Sequence, residues 1–207
     1  MAVTSDISSL ADALEALRAG ELVVYPTETF YALGADPFSA EALERLFDAK
    51  GREHGKPVAL IAADSKMAFE LAETVPFYAR RLGDNFWPGP LTIVMPPRAG
   101  IPDALLGPDG IGVRVSSNPI ARSLCREFGR PLSATSANLA GGNPPVTLAA
   151  ARTQLGNKVK AYLEGGTLRG GAPSTVVACA GNDVRVIREG AISENELMAA
   201  ISAGALK

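Results

Sequence analysis

Histidine is almost absent. The 207 residues contain one, His54. That scarcity argues against a histidine-rich metal site and against a Ser-His-Asp triad. His54 lies in the polar run Arg52-Glu53-His54-Gly55-Lys56, where a solvated side chain is expected. Cysteine is scarce too. Cys125 and Cys179 are far apart and form no CxxC, so they read as small buried hydrophobes. No run of about 18 apolar residues exists to cross a membrane, and no basic stretch precedes an apolar one at the N-terminus. The expected location is therefore the cytoplasm, where a disulfide is not expected. Excess charge of one sign is missing as well. A net charge of −2 and a pI near 5.5 disfavour nucleic-acid binding by overall field. Any phosphate recognition must come from a local cluster.

What is present is an ordinary globular composition. Hydrophobic residues make up 47% and charged residues 20%, enough apolar surface for a sizeable core. The length and the lack of a dividing linker suggest one domain over 1–207, with a core at about 7–192 and a C-terminal helix at 193–203.

Periodicity supplies the elements. Ile7, Leu10, Ala11, Leu14 and Leu17 recur at helical spacing, with Gly20 as the stop. Helices are also expected at 39–50 behind Ser39, around 65–72, from Pro76 to 84, from Asn118-Pro119 to Gly129, and from Thr147 to Gly156. Ser193 and Glu196 form a capping-box pattern. Strands are expected at 22–25, 58–61, 91–95, 112–115, 132–135, 159–163, 174–179 and 184–188. This order predicts an α/β fold with a twisted, mixed, open sheet and helices around it.

Polar groups cluster just after strands, where ligands bind in open α/β sheets. One such segment is Pro26-Thr27-Glu28-Thr29-Phe30-Tyr31-Ala32-Leu33-Gly34. A second, Lys50-Gly51-Arg52-Glu53-His54-Gly55-Lys56-Pro57, offers guanidinium and ammonium groups for phosphate without the spacing of a Walker A loop. A third, Ser133-Ala134-Thr135-Ser136-Ala137-Asn138, leaves hydroxyls and backbone N–H groups for phosphate or ribose. Ser174-Thr175-Val176-Val177 and Ile187-Arg188-Glu189-Gly190 form a fourth pair. Arg114 ends an apolar strand, and a charge so near a core needs a partner or a ligand. Trp87, in Trp87-Pro88-Gly89-Pro90-Leu91-Thr92, reads as core more than as a stacking platform.

In order and spacing, these segments resemble the YrdC/Sua5/TsaC family of threonylcarbamoyl-AMP synthases, from about residue 10 to 192. The length resembles the short form without the additional C-terminal domain. The resemblance implies a YrdC-like fold around a concave basic cleft. It implies that L-threonine, bicarbonate or CO2, and ATP carried with Mg2+ give threonylcarbamoyl-AMP and pyrophosphate. The product would serve N6-threonylcarbamoylation of adenosine 37 in tRNA, completed by separate transfer proteins. By the same likeness Thr29, Arg114, Ala134 and Ser174 would meet threonine. Arg52, Lys56, Gly110, Ser136, Asn138, Pro144 and Arg188 would hold ATP, with Lys50 and Arg52 in the chemistry and no dedicated metal ligand. Threonine's carbamate would attack the α-phosphorus, so charge neutralisation and alignment should dominate. Two departures stand out: Ala32 for the usual glycine, and Ser116-Ser117-Asn118-Pro119 for Pro-x-His-Pro. The competing readings are a protein that binds double-stranded RNA or tRNA, or acts in ribosome maturation, and a domain that forms a carbamoyl adenylate.

Overall fold

Short polar side chains start the helices by accepting hydrogen bonds from otherwise orphaned N–H groups. The computed structural model describes residues 7–51 and 57–203, so the expectations placed on Arg52, His54 and Lys56 lie outside the described residues. The first half of the chain runs α1 (Leu10–Arg18), β1 (Val23–Pro26), β2 (Tyr31–Gly34), α2 (Ala40–Lys50), β3 (Leu60–Ala62), α3 (Ser65–Phe69), α4 (Phe77–Phe86) and β4 (Leu91–Met95). It continues through β5 (Leu106–Gly107), β6 (Gly110–Val115), α5 (Pro119–Phe128), β7 (Leu132–Ser133), β8 (Thr135–Ser136) and α6 (Leu148–Leu155). The last elements are β9 (Ala161–Tyr162), β10 (Thr175–Ala180), β11 (Asp183–Arg188) and α7 (Glu194–Ser202).

Caps fall where the side chains dictate. Ser39, Asn118 and Thr147 each accept a backbone N–H at the start of α2, α5 and α6. Ser9 with Asp12, and Ser193 with Glu196, close full capping boxes on α1 and α7. Gly51 and Gly129 end α2 and α5 in the left-handed conformation. Pro76 stands at the N-cap of α4, one position before the helix it was expected to open from within.

Among the described residues the strands form two sheets. The smaller has the order β8-β2-β1-β9, and the larger the order β11-β10-β4-β6-β3-β7, with β5 paired to β6. Both are mixed: β1–β9, β4–β10 and β3–β6 are parallel, and the other pairs are antiparallel. The expected mixed open sheet is thus present, divided in two.

The near-continuous apolar runs of β1 and β3 follow from burial on both faces. Val24, Leu60 and Ala62 point into one core, with α2, β4 and β6. Val23, Tyr25 and Ile61 point into the other, between α1 and α5. Trp87 belongs to the first core. Its indole N–H donates to the Leu91 carbonyl at 2.7 Å and its ring lies 5.4 Å from that of Phe69.

Two differences from the sequence expectation matter. Residues 31–34, read as part of a ligand loop, are a strand hairpinned to β1. The strand expected at 132–135 is two short strands, β7 on β3 in the larger sheet and β8 on β2 in the smaller. The chain therefore crosses between sheets at Ala134, whose N–H bonds the Ala59 carbonyl at 2.8 Å.

Candidate active site

A cavity of about 600 Å³ opens at this crossing, walled by both sheets. The smaller sheet and its turn supply Thr27, Thr29, Tyr31 and Ala32, and the crossing strand supplies Ala134, Thr135 and Ser136. The larger sheet supplies Thr92, Gly112, Arg114 and Val176 from inner strands, and Arg188 from its edge strand β11. The β5–β6 turn, with Asp109 and Gly110, forms one rim, and Pro144 and Ser174 lie on the wall.

The turn after β1 is built by one hydroxyl. Thr27 Oγ1 donates to the Phe30 carbonyl at 2.7 Å and accepts the Thr29 and Phe30 N–H groups at 3.2 Å. The Thr29 hydroxyl lies 3.2 Å from Thr27 Oγ1. Thr29 lines the cavity, where its hydroxyl can accept from an ammonium or N–H donor.

Arg114 is only 8% exposed. Its partner is Glu28, with Nη1 donating to Oε1 at 2.8 Å. The second carboxylate oxygen accepts a short hydrogen bond from the buried Ser116 hydroxyl. Asn118 caps α5 and also donates from Nδ2 to the Thr27 carbonyl at 3.2 Å. The Ser116–Asn118 departure thus ties the 27–29 turn to the start of α5. The Ala32 departure needs no left-handed backbone. Ala32 is a strand residue, and no described non-glycine residue has positive φ.

Arg188 approaches from β11. Its Nη2 donates to the Ser174 carbonyl at 2.8 Å, and Ser174 Oγ lies 3.1 Å from Thr92 Oγ1. Although Arg188 is solvent-accessible, the hydration it loses against the wall lowers its pKa, and the Arg114 charge lowers it further. Two guanidiniums facing one cavity repel each other, and an anion between them relieves that repulsion. The one described acid on the lining, Asp109, is held at the rim by a close ion pair with Arg185.

Of the residues expected to meet threonine, Thr29, Arg114, Ala134 and Ser174 all line this cavity. Of those expected on ATP, Gly110, Ser136, Pro144 and Arg188 line it. Arg52 and Lys56 lie outside the described residues; Pro57, next to them in sequence, is on the lining. Lys50 and Asn138 are not lining residues. The Lys50 ammonium, on a residue only 4% exposed, donates to the carbonyls of Ser136 at 2.6 Å and Asn138 at 2.9 Å. Asn138 Nδ2 donates to the Leu139 and Gly142 carbonyls at 2.7 and 2.8 Å. Among the described residues, its buried Oδ1 has no hydrogen-bond partner. Such an acceptor is costly to leave unpaired and marks a place for a donor. Among the described residues, no group of three or more His, Cys, Asp and Glu is placed to hold a metal ion.

Sequence reasoning missed Glu28, Ser116 and Thr92. The signal available for Glu28 was the demand that Arg114, so near the core, find a partner.

A family model for Sua5, YciO and YrdC proteins, described as "Telomere recombination", matches residues 15–190. The chain is 34% identical over 205 residues to a Bacillus subtilis threonylcarbamoyl-AMP synthase, covering 96% of this chain and 59% of that relative. It is 38% identical over 178 residues to the Pseudoalteromonas translucida threonylcarbamoyl-AMP synthase, covering 83% and 94% respectively. A solved Pyrococcus abyssi Sua5, in complex with L-threonine, superposes with a TM-score of 0.87 at 33% identity, covering 93% of this chain and 57% of that one. The chain therefore spans under two thirds of the longer relatives and nearly all of a shorter one.

Proposed function

Because the chain belongs to the Sua5/YciO/YrdC family, we propose that it makes L-threonylcarbamoyl-AMP and pyrophosphate from L-threonine, bicarbonate or CO2, and ATP. The observation that carries this reading is one cavity, where the two sheets meet, lined by two arginines and several hydroxyls. ATP and the carbamate of threonine are both anionic, and two guanidiniums on the cavity lining can offset that charge.

The residues divide the work by position. Arg114, Thr29 and Ser174 line the same cavity; in this reading the Arg114 guanidinium receives the threonine carboxylate and Thr29 Oγ1 accepts from the amine. Arg188 and Ser136, also on the lining, are assigned to phosphate oxygens of the nucleotide, with Gly110 and Pro144 at its border. Magnesium enters as part of the nucleotide substrate. The threonine nitrogen adds to CO2 and loses a proton, giving a carbamate. A carbamate oxygen forms a bond to the α-phosphorus as the bond to the β-phosphate oxygen breaks, and pyrophosphate leaves. The fixed guanidiniums offset the charge that gathers at the reacting centre. The common wall holds both reactants in line.

We place the reaction in the cytoplasm. No helix among the described residues is long and apolar enough to cross a membrane. The product would pass to proteins that complete N6-threonylcarbamoyladenosine in tRNA, and tRNA or double-stranded RNA is the expected polymer partner.

The test separates the two arginines. Calorimetry on Arg114→Ala should show threonine binding weakened about tenfold or more with ATP binding near wild type. Arg188→Ala should show the reverse. Wild-type affinities for both ligands in both variants would refute the assignment.

A further inference from the structure

Glu28 is the one charged group in contact with Arg114 among the described residues, and it does not line the cavity that Arg114 enters. It lines a neighbouring cavity of about 670 Å³ with Ser117, Asn118 and Arg169, and Thr27 and Thr29 line both cavities. The Glu28 side chain reaches the lining of the first cavity through its bond to Arg114.

The carboxylate is held at both oxygens. Oε1 accepts from Arg114 Nη1 at 2.8 Å, and Oε2 accepts from Ser116 Oγ. The Ser116 hydroxyl itself accepts the Asn118 N–H at 3.1 Å, which directs its proton to Glu28. The Glu28 backbone sits between Thr27 and Thr29, whose turn is closed by Thr27 Oγ1 and anchored to α5 through Asn118 Nδ2. A free arginine side chain samples many rotamers, whereas this one makes a charge-assisted bond to a carboxylate that Ser116 also holds. Only one N–H of the guanidinium fork is used by a described protein acceptor, and the others remain for a ligand.

We infer that Glu28 is a positioning residue: with Ser116 it fixes the Arg114 guanidinium so that the unused N–H groups face the ligand carboxylate. The inference rests on the reading of Arg114 as the carboxylate site given above. Threonine affinity should therefore depend on Glu28, while ATP affinity should not.

The experiment uses the full chain and the variants Glu28→Ala, Glu28→Gln and Ser116→Ala. Nitrogen-15 NMR of the guanidinium groups, with the Arg114 signals identified by their loss in Arg114→Lys, reports whether Arg114 is held. Calorimetry reports L-threonine and ATP affinity. Glu28→Ala should average the separate Arg114 Nη signals and weaken threonine binding about tenfold or more, with ATP affinity changed less than about twofold. Glu28→Gln keeps an acceptor for Nη1, so it should recover most of the threonine affinity and the resolved signals. Ser116→Ala should show a smaller loss of the same kind, and it decides the matter if Glu28→Ala does not fold. Unchanged Arg114 signals in Glu28→Ala would overturn the inference. So would equal losses for threonine and ATP, or a Glu28→Gln variant as weak as Glu28→Ala. If the wild-type protein binds no threonine, the functional reading falls, while the Arg114 signals still decide whether Glu28 positions it.

Discussion

Replacing Gly110 with alanine puts a methyl group where there is no room for one. Gly110 opens β6 at the cavity rim with φ at +116°, a region that side chains rarely enter. A Cβ there would stand 2.2 Å from the Met95 carbonyl oxygen and 2.9 Å from its carbon. Ordinary contact is about 3.4 Å or more, so roughly 1 Å must open. The obstructing atoms are backbone at the end of β4, and Met95 is paired with Ile111, so no side chain can swing aside. Backbone strain of about 1–3 kcal/mol adds to overpacking of about 1–3 kcal/mol. The expected loss is about 2–6 kcal/mol, a large part of a typical total stability of about 5–15 kcal/mol. The control is Gly129→Ala. Gly129 also has positive φ, +83°, but a Cβ there meets nothing within 4 Å. Only the backbone term of about 1 kcal/mol applies to it. Calorimetric melting should place Gly110→Ala roughly 5–20 °C below wild type and Gly129→Ala about 2–4 °C below. If the two variants melt within about 2 °C of each other, the close approach at Met95 does not carry the cost assigned to it.

Three further outcomes follow from other sites. Lys50→Met keeps the apolar stem but strips the donors from the Ser136 and Asn138 carbonyls, so urea unfolding should show a loss of about 2–4 kcal/mol. An unchanged midpoint would contradict its role as a brace. Burial pushes the thiols of Cys125 and Cys179 up to about 12, so neither should react with a disulfide reagent at about pH 8 until the chain is unfolded, when both should. At Glu164 burial acts to raise the carboxyl pKa, but the Tyr31 hydroxyl and the Gly165 and Gly166 N–H groups outweigh it and hold the pKa below the usual range. A lowered folded-state pKa adds stability above the unfolded value, and this is lost as pH falls through the folded one. Glu164→Gln should therefore be less stable than wild type at about pH 7, and the gap should narrow at about pH 3.

Local signals placed the elements whose causes are local. The helix from Asn118 to Gly129 and the strand at 91–95 carry their own boundaries in caps and prolines. Residues 31–34 looked like loop because polar Thr27 and Thr29 precede them. What makes them a strand is the Thr27-closed turn that folds Tyr31 back onto Pro26. The division of 132–135 could not be read locally. Ser133 pairs with Leu60 while Thr135 pairs with Leu33, and those partners are distant in sequence. The site was legible where its chemistry is carried by single residues. Arg114 and Arg188 announced themselves as charges at strand ends, and both reach one cavity. Glu28 did not, because its meaning depends on an arginine 86 positions away.

The most direct test of the central claim is pyrophosphate release by the purified full chain with ATP, Mg2+ and bicarbonate, with and without L-threonine, and with L-serine as a control. The account predicts release that requires both threonine and bicarbonate, is much weaker with serine, and yields threonylcarbamoyl-AMP by mass spectrometry. ATP binding without threonine-dependent release would contradict it.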